Sequence, residues 1–411
     1  MSTKRKLTIL VVPDKTFPVR HALLENVFCR GLTRRGHRVI WFMRSPAAAR
    51  FGVRAEWQGC EVFLAPLGRR EGRLEELADD FYRKPAGMAR ILGLIREEKV
   101  DIVQVRNDLP AAFFAWLAAR RSGIPFSYYL AYPHLEGMRL QAERGMTRTK
   151  YAARIYARAL MPVQDWLTRR ADFVFTMSEH WRKKVVSEQG LPPGRVRALP
   201  FGFDTSISPG EVDGNVIRKK FGLEGRPVVL YIGTIAPPRD TALLIGTMER
   251  IAKKVPEAKL LVLPIERNLM YVPGLEREFE KKGLAGTAVF APPVSHEEVC
   301  GYIAAADVGL SPIEPIPLYE VSSPAKFIEM LGMGCPVVAS DIPEQRNILE
   351  ASGGGVCVPY DPASFAGATI DLLKDPEAAK EMGARGRRYA REHRSFDRLT
   401  DMVEEVYLSL V

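Results

Sequence analysis

The chain has 411 residues, 46% of them hydrophobic and 26% charged, and a net charge of +10. That length exceeds one ordinary core, so two domains are expected, and the composition excludes a disordered or fibrous chain. Five scattered cysteines without a C-x-x-C pair indicate neither a disulfide framework nor a zinc site and fit a reducing cytoplasm, and no apolar run approaches the ~20 residues of a membrane span.

The first apolar run, residues 7–12, is stopped by Pro13-Asp14 and reads as a strand rather than an export signal. A loop over 13–18, a helix carrying Leu23, Leu24, Val27, Phe28 and Leu32 and ending at Gly36, and a strand over 37–42 open a parallel α/β sheet. The rhythm returns as strand 100–105, helix 110–122 and strand 125–130. A long basic helical section follows, then strand 173–177, a helix over 179–189 capped by Ser178, and a short strand 197–200. Residues 202–225 have linker composition, with one short helix at 216–221. The second half restarts with strand 228–232, helix 241–254 and strands 259–263 and 288–290. A helix opened by a capping box from Ser295 to Glu298 precedes strand 307–311. Strands 336–340 and 355–358, helix 362–373 and two helices over 377–410 complete it. The predicted class is α/β, with two tandem Rossmann-like doubly wound parallel-sheet domains, each with a ligand crevice at its strand ends. The cleft between such domains is the default ligand site.

Charge is unevenly spread. Between 138 and 184 eleven basic residues stand against four acidic ones. Lys150, Arg154 and Arg158 repeat every four residues and share one helix face, with Tyr151 and Ile155 beside them. Two readings stand: a helix lying on an anionic membrane surface, or a solvated basic face. No nucleic-acid module is recognised.

The most informative stretch is 322–341. Ser322-Ser323-Pro324 is a turn, with Pro324 suited to a first helical position, and Gly332 and Gly334 suit a helix end. Free amides at a helix start attract anions. Lys326 lies one turn in and is placed to hold a phosphate. Glu329, three residues on, shares its face and is placed to hold the two hydroxyls of a ribose. The alternative is an ordinary surface Lys–Glu pair.

These residues, with others in a fixed order, carry a resemblance over nearly the whole chain. The marks are Gly36-His37-Arg38-Val39, Ser178-Glu179, the run from Leu199 to Asp204, Tyr231-Ile232-Gly233, the block 239–246, Ala305-Ala306-Asp307-Val308, and above all the run from Pro324 to Ser340. Together they resemble the retaining glycosyltransferases of family 4 (glycosyl transferases group 1), with the GT-B arrangement of two domains across a cleft. The resemblance implies a first domain, 1–204, that binds the acceptor, and a second, 205–385, that binds a nucleoside-diphosphate sugar. It also implies a terminal segment, 386–411, returning to the first. It implies donor contacts at Gly233, Thr234, Ser322, Ser323, Pro324, Lys326 and Glu329, with Arg239 on the diphosphate. His134 is placed near the reacting sugar and Asp108 at the acceptor side. His134, Arg239 and Lys326 are the catalytic candidates.

A leaving diphosphate gains negative charge, and fixed cations and amide dipoles act where that charge develops. No Asp-x-Asp pair sits convincingly at a strand end, so no metal is needed and the sugar nucleotide is the sole co-substrate. Where the family has a glutamate eight residues before Glu329 stands Val321, with Glu320 one residue out of register, so either Glu320 is restored by a short insertion or the amides and hydroxyls of Ser322 and Ser323 handle the sugar. A Gly-Arg pair reads Gly233-Thr234, and the Gly-Gly loop after the first strand is replaced by Asp14 to Pro18, with Arg20 and His21 behind it. The expected function is retaining transfer to a glycan, lipid-linked or small acceptor, in the cytoplasm or on the inner face of the membrane. A nucleotide-sugar epimerase and a non-catalytic subunit of a membrane complex are the alternatives.

Overall fold

The computed structural model describes residues 5–48, 53–66, 89–145, 150–207, 209–235 and 241–411. They form two compact units, Met1–Pro200 with Phe396–Val411, and Phe201–Ser395.

The first unit is built on an eight-stranded sheet. Its strands are β1 (Thr8–Val12), β2 (Arg38–Ser45), β3 (Val53–Trp57), β4 (Cys60–Pro66), β5 (Ile102–Arg106), β6 (Phe126–Leu130), β7 (Phe173–Thr176) and β8 (Val196–Ala198), in the order β3-β4-β2-β1-β5-β6-β7-β8. All neighbours are parallel except β3 and β4, which form an antiparallel hairpin. Strands β1, β5, β6 and β7 are almost wholly buried, as strands covered on both faces must be. Four helices follow: α1 (Leu24–Gly31), wound as a π-helix, α2 (Leu109–Ser122), α3 (His134–Glu143) and α4 (Lys150–Arg170). Helix α5 (Glu179–Gln189) has the predicted bounds, with Ser178 Oγ accepting from Trp181 N–H at 3.1 Å and Gly190 closing it in the left-handed conformation.

The C-terminal helix Phe396–Leu410 belongs to this unit. His37 Nδ1 accepts from Leu7 N–H, so its Nε2–H donates to Glu404, and Tyr407 donates to Gln104 at 2.8 Å; all four side chains are buried. Gly31 of α1 lies so close to the helix that an added Cβ would stand 2.8 Å from Thr400 Cγ2.

The cysteine reading needs correction. The β3–β4 hairpin, turned at Gln58-Gly59, brings Cys60 to α1, where it forms a disulfide with Cys29. The basic face also differs from expectation. Arg154 is turned partly inward, with its Nε buried and without a partner among the described residues. The Lys150 side chain lies outside the described residues.

The second unit holds a six-stranded, wholly parallel sheet: β9 (Val228–Gly233), β10 (Lys259–Pro264), β11 (Ala288–Phe290), β12 (Val308–Ser311), β13 (Val337–Ser340) and β14 (Gly355–Val358), ordered β11-β10-β9-β12-β13-β14. Helix α6 (Ala242–Lys254) buries Leu243, Leu244, Met248 and Ile251 against one face of the sheet. Helix α7 (Ala325–Gly332) buries Phe327, Ile328, Met330 and Leu331 against the other. Helices α8 (Pro343–Ser352) and α9 (Pro376–Arg394) complete the layers named here. Glycines on α9 admit close neighbours: a Cβ on Gly386 would meet Leu331 Cδ2 at 2.8 Å and the backbone of Gly354 at 3.1 Å. This packing keeps α9 in the second unit, so the return to the first begins at Phe396 rather than 386, and the forward boundary is Pro200/Phe201 rather than 204/205. The Ser295 capping box forms only by half. Glu298 accepts from Ser295 N–H at 2.9 Å, but the helix begins at Val299.

Candidate functional site

In each sheet the strand order reverses beside one strand, β1 in the first unit and β9 in the second. The carboxyl ends beside these strands are where open α/β sheets bind ligands.

In the first unit that position holds a charged cluster. Asp14, two residues past β1, is paired with Arg106 at the end of β5. Asp14 Oδ2 also accepts from Asn107 Nδ2 at 3.0 Å and lies 3.4 Å from His134 Nε2. Arg106 is buried, with its guanidinium 5.7 Å over the Tyr129 ring, and Nη2 donates to His21 Nε2 at 3.2 Å. Asn107 has φ +57°, a conformation asparagine tolerates better than most residues. From there its Oδ1 accepts from Ala131 and Tyr132 N–H at 2.8 and 3.0 Å, which fixes the turn leading to His134. His134 opens α3, edge-on to Tyr132 at 4.9 Å, with its side chain 54% exposed.

Burial pushes the Asp14 carboxyl up, but hydrogen bonding from His134, the charges of Arg106 and Lys15, and the Asn107 amide outweigh it and hold it far below the usual carboxylate range. Burial, aided by the positive charge of Arg106, drives His21 down to about 3, so it stands neutral and accepts from the guanidinium. Asp108 behaves differently from its neighbours. Its Oδ1 caps α2 by accepting from Ala111 N–H at 3.0 Å, and its Oδ2 accepts from Arg44 at 3.2 Å. That is the helix-capping role of an N-terminal acid.

In the second unit a buried polar network shapes the ends of β12 and β13. Ser340 Oγ donates to Ile313 O at 2.6 Å and accepts from Ile313 N–H at 2.8 Å. Gln345 Nε2 donates to Ser340 O at 2.8 Å. This ties down the chain that enters α7. Pro324 is the N-cap of that helix rather than its first residue. Lys326 and Glu329 are adjacent on its face, with Nζ 2.7 Å from Oε2 and side chains 28% and 13% exposed. Burial and the charge of Glu329 push the nearby Cys300 thiol up to about 11.

The two serines are more committed than expected. Ser322 Oγ donates to Tyr319 O at 2.5 Å, and its N–H donates to the same carbonyl. Ser323 is buried, accepts from Phe201 N–H at 3.1 Å, and points to buried Glu344, itself paired with Arg394 at 2.7 Å. Both hydroxyls therefore build the turn before α7. Gly233 ends β9 and Thr234 follows it, where Tyr231 donates to Thr234 O at 2.6 Å. Arg239 lies outside the described residues. Glu320 ends the short helix Pro317–Glu320, half-buried. Among the described residues no cluster of three metal-ligating side chains occurs.

Sequence reasoning singled out His134 but not Asp14, which lies against it, nor Arg106, which is paired with Asp14. The signal was present in one acid and one base at the carboxyl ends of two buried strands.

Two family models cover most of the chain, the Glycosyl transferase 4-like domain over residues 26–202 and Glycosyl transferases group 1 over 226–375. The chain belongs to the family 4, group 1 glycosyltransferases. Within that family it is 29% identical over 346 residues, 82% of this chain and 84% of the other, to a GDP-mannose-dependent alpha-(1-6)-phosphatidylinositol monomannoside mannosyltransferase of Mycolicibacterium smegmatis. The GT-B glycosyltransferase fold is shared with sucrose-phosphate synthase of Thermosynechococcus elongatus, at TM-score 0.71 and 17% identity over 98% of this chain and 99% of that one. It is shared equally with Anabaena HepE in complex with UDP-glucose, at TM-score 0.70 and 16% identity over 98% and 100%.

Proposed function

We propose that this glycosyltransferase moves a sugar from a nucleoside-diphosphate sugar to a hydroxyl acceptor with retention of anomeric configuration. The observation that carries the reading is the Lys326–Glu329 pair on the first turns of α7, beside the carboxyl ends of β12 and β13. Glu329 has a second carboxylate oxygen to offer a ribose, and the Lys326 ammonium lies within reach of a diphosphate at the helix start. The family resemblance assigns the diphosphate a further cation, Arg239, whose planar fork suits phosphate oxygens. With cations supplied by the chain, transfer proceeds without a metal ion, and activity survives chelation.

The acceptor half falls to the first unit. Asp14 fixes the His134 imidazole, whose exposed edge meets the reacting sugar. Retention without a protein nucleophile follows from a same-face displacement, in which the departing phosphate oxygen takes the acceptor's proton. The mannosyltransferase relative favours GDP-mannose as donor and a lipid-linked acceptor, and the HepE complex makes UDP-glucose the second donor to try. Among the described residues no helix is long and apolar enough to cross a membrane; a lipid-linked acceptor would be met at the inner surface of the bilayer.

The test is a panel of nucleotide sugars with and without acceptor lipid extract, with EDTA present, and the product anomer read by NMR. Retained configuration from one donor supports the reading. Conversion of the donor sugar without acceptor makes the chain an epimerase, and no turnover or donor binding makes it a non-catalytic subunit.

A further inference from the structure

Two neighbouring helices of the first unit turn aromatic side chains outward. Helix α2 buries its alanines, Ala112, Ala115, Ala118 and Ala119, and leaves Phe113, Phe114 and Trp116 half-exposed. That inverts the usual arrangement, in which the large apolar side chains of a helix face the core. Across from it Trp166 of α4 packs on Trp116 at 5.0 Å and on Phe113 at 6.2 Å, and is still 36% exposed. The same face of α4 carries Tyr151 and Ile155, 79% and 70% exposed, and Pro162, since spacings of four, eleven and fifteen residues return to one side of a helix. The helix has 21 residues, so the strip runs for about 30 Å.

Cations accompany these side chains. Arg158, Arg169 and Arg170 of α4 and Arg120 of α2 are exposed. Arg170 lies 5.3 Å over Trp166 and Arg120 5.9 Å over Trp116. Among the described residues none of the four is paired with a carboxylate. Asp165, the acid on this side of α4, accepts from Gln189 Nε2 at 2.7 Å and also feels the charge of Arg169 one turn on. A contiguous apolar strip bordered by four exposed arginines against the single carboxylate of Asp165 calls for an occupant that is apolar within and anionic outside.

We infer that this face of α2 and α4 docks on an anionic lipid bilayer. Tyr151, Ile155 and Trp166 enter the headgroup region, and Arg158, Arg169 and Arg170 meet phosphate groups. Tryptophan, tyrosine and arginine are the side chains that settle at a membrane–water boundary. A second copy of the chain fits less well, because a two-fold contact would set the same arginines against one another. The inference goes beyond the proposed transfer and stands independently of its chemistry.

The experiment is flotation of the purified full chain with vesicles of phosphatidylcholine alone or with about a third phosphatidylglycerol, the fraction being an order-of-magnitude choice for an anionic surface. The chain is expected on the anionic vesicles at low salt and released at high salt. Arg158→Glu with Arg169→Glu should weaken binding by at least roughly twenty-five-fold, at about fivefold per basic residue lost. Tyr151→Ser with Ile155→Ser should weaken it at least about tenfold, with the melting temperature unchanged because both side chains already stand in water. Lys380→Glu, on α9 of the second unit, should change nothing. Equal binding to neutral vesicles, or anionic binding that survives Tyr151→Ser with Ile155→Ser, would overturn the inference. So would lipid-free self-association that these two substitutions abolish, which would make a second copy the occupant.

Discussion

Removing the Asp14 carboxylate perturbs the first unit most sharply. Asp14 is the anion that balances Arg106, whose side chain is only 6% exposed, and it also accepts from Asn107. In Asp14→Ala the guanidinium stays buried against Tyr129 with only neutral His21 as a partner named here, and Asn107 loses the bond that sets its turn. Breaking a buried pair by deleting one partner costs about 3–5 kcal/mol. For a unit of this size that lowers the melting temperature by about 6–20 °C, at about 2–4 °C per kcal/mol. Replacing both partners, Asp14→Ala with Arg106→Met, removes the stranded charge and should recover most of the loss. The assay is a double-mutant cycle by chemical denaturation, read at the tryptophans of the first unit. A single substitution costing under about 1 kcal/mol, or a double variant whose cost is the sum of the singles, would refute the claim that Asp14 and Arg106 act as one buried unit.

Acid should expose the same cluster. The folded-state pKa of His21 is depressed to about 3, so the unfolded chain binds more protons below about 6.5 and stability falls as pH drops from there towards 3. At pH 5 this amounts to at most about 2 kcal/mol, and the His21→Gln variant should be flatter in that window. Asp14, also depressed, adds a loss that begins only near the ordinary carboxylate range. At the C-terminal helix, Gly31→Ala should cost about 1–3 kcal/mol by overpacking against Thr400, and Thr400→Ala should restore part of it. Among the thiols, Cys300 and Cys357 are raised to about 11 and Cys335 to about 12, chiefly by burial, so on the order of one in a thousand or fewer is thiolate at pH 8. Native protein should take up iodoacetamide very slowly. Unfolded protein should react at three cysteines without reductant and at five with it, and five without reductant would remove the Cys29–Cys60 bond.

The regular elements were legible where local chemistry and burial agree. Ser178 before Glu179, with Gly190 after Gln189, marks α5 at both ends because cap, polar face and stop coincide. Strands β9 and β12 read as apolar runs because both faces are covered. The β3–β4 hairpin was missed because β3 is an outer strand with Val53, Arg54 and Glu56 in solvent, and an exposed edge lacks the apolar run of a covered strand. The disulfide was lost with it, since only that hairpin carries Cys60 to α1. Helix α4 was foreseen as basic and amphipathic, yet its rotation was not. A four-residue repeat of cations fixes a shared side without saying whether it faces water, and Arg154 turned inward.

The candidate site divided similarly. Lys326 and Glu329 lie together because helix spacing alone decides it. Asp14, His21, Arg106 and His134 span 120 positions of sequence and meet only because β1 and β5 are neighbours. Ser322 and Ser323 matched a family pattern, but the turn they sit in uses their hydroxyls, a competition among local hydrogen bonds that a motif does not record.

Isothermal titration of the intact chain with GDP, GDP-mannose, UDP and UDP-glucose, repeated on Glu329→Ala, tests the donor assignment most directly. One nucleotide should bind the parent chain, and loss of the charged hydrogen bonds at Glu329 should weaken it about ten- to a hundredfold, equivalent to about 1.5–3 kcal/mol. An affinity unchanged by Glu329→Ala would place the nucleotide elsewhere and contradict the account.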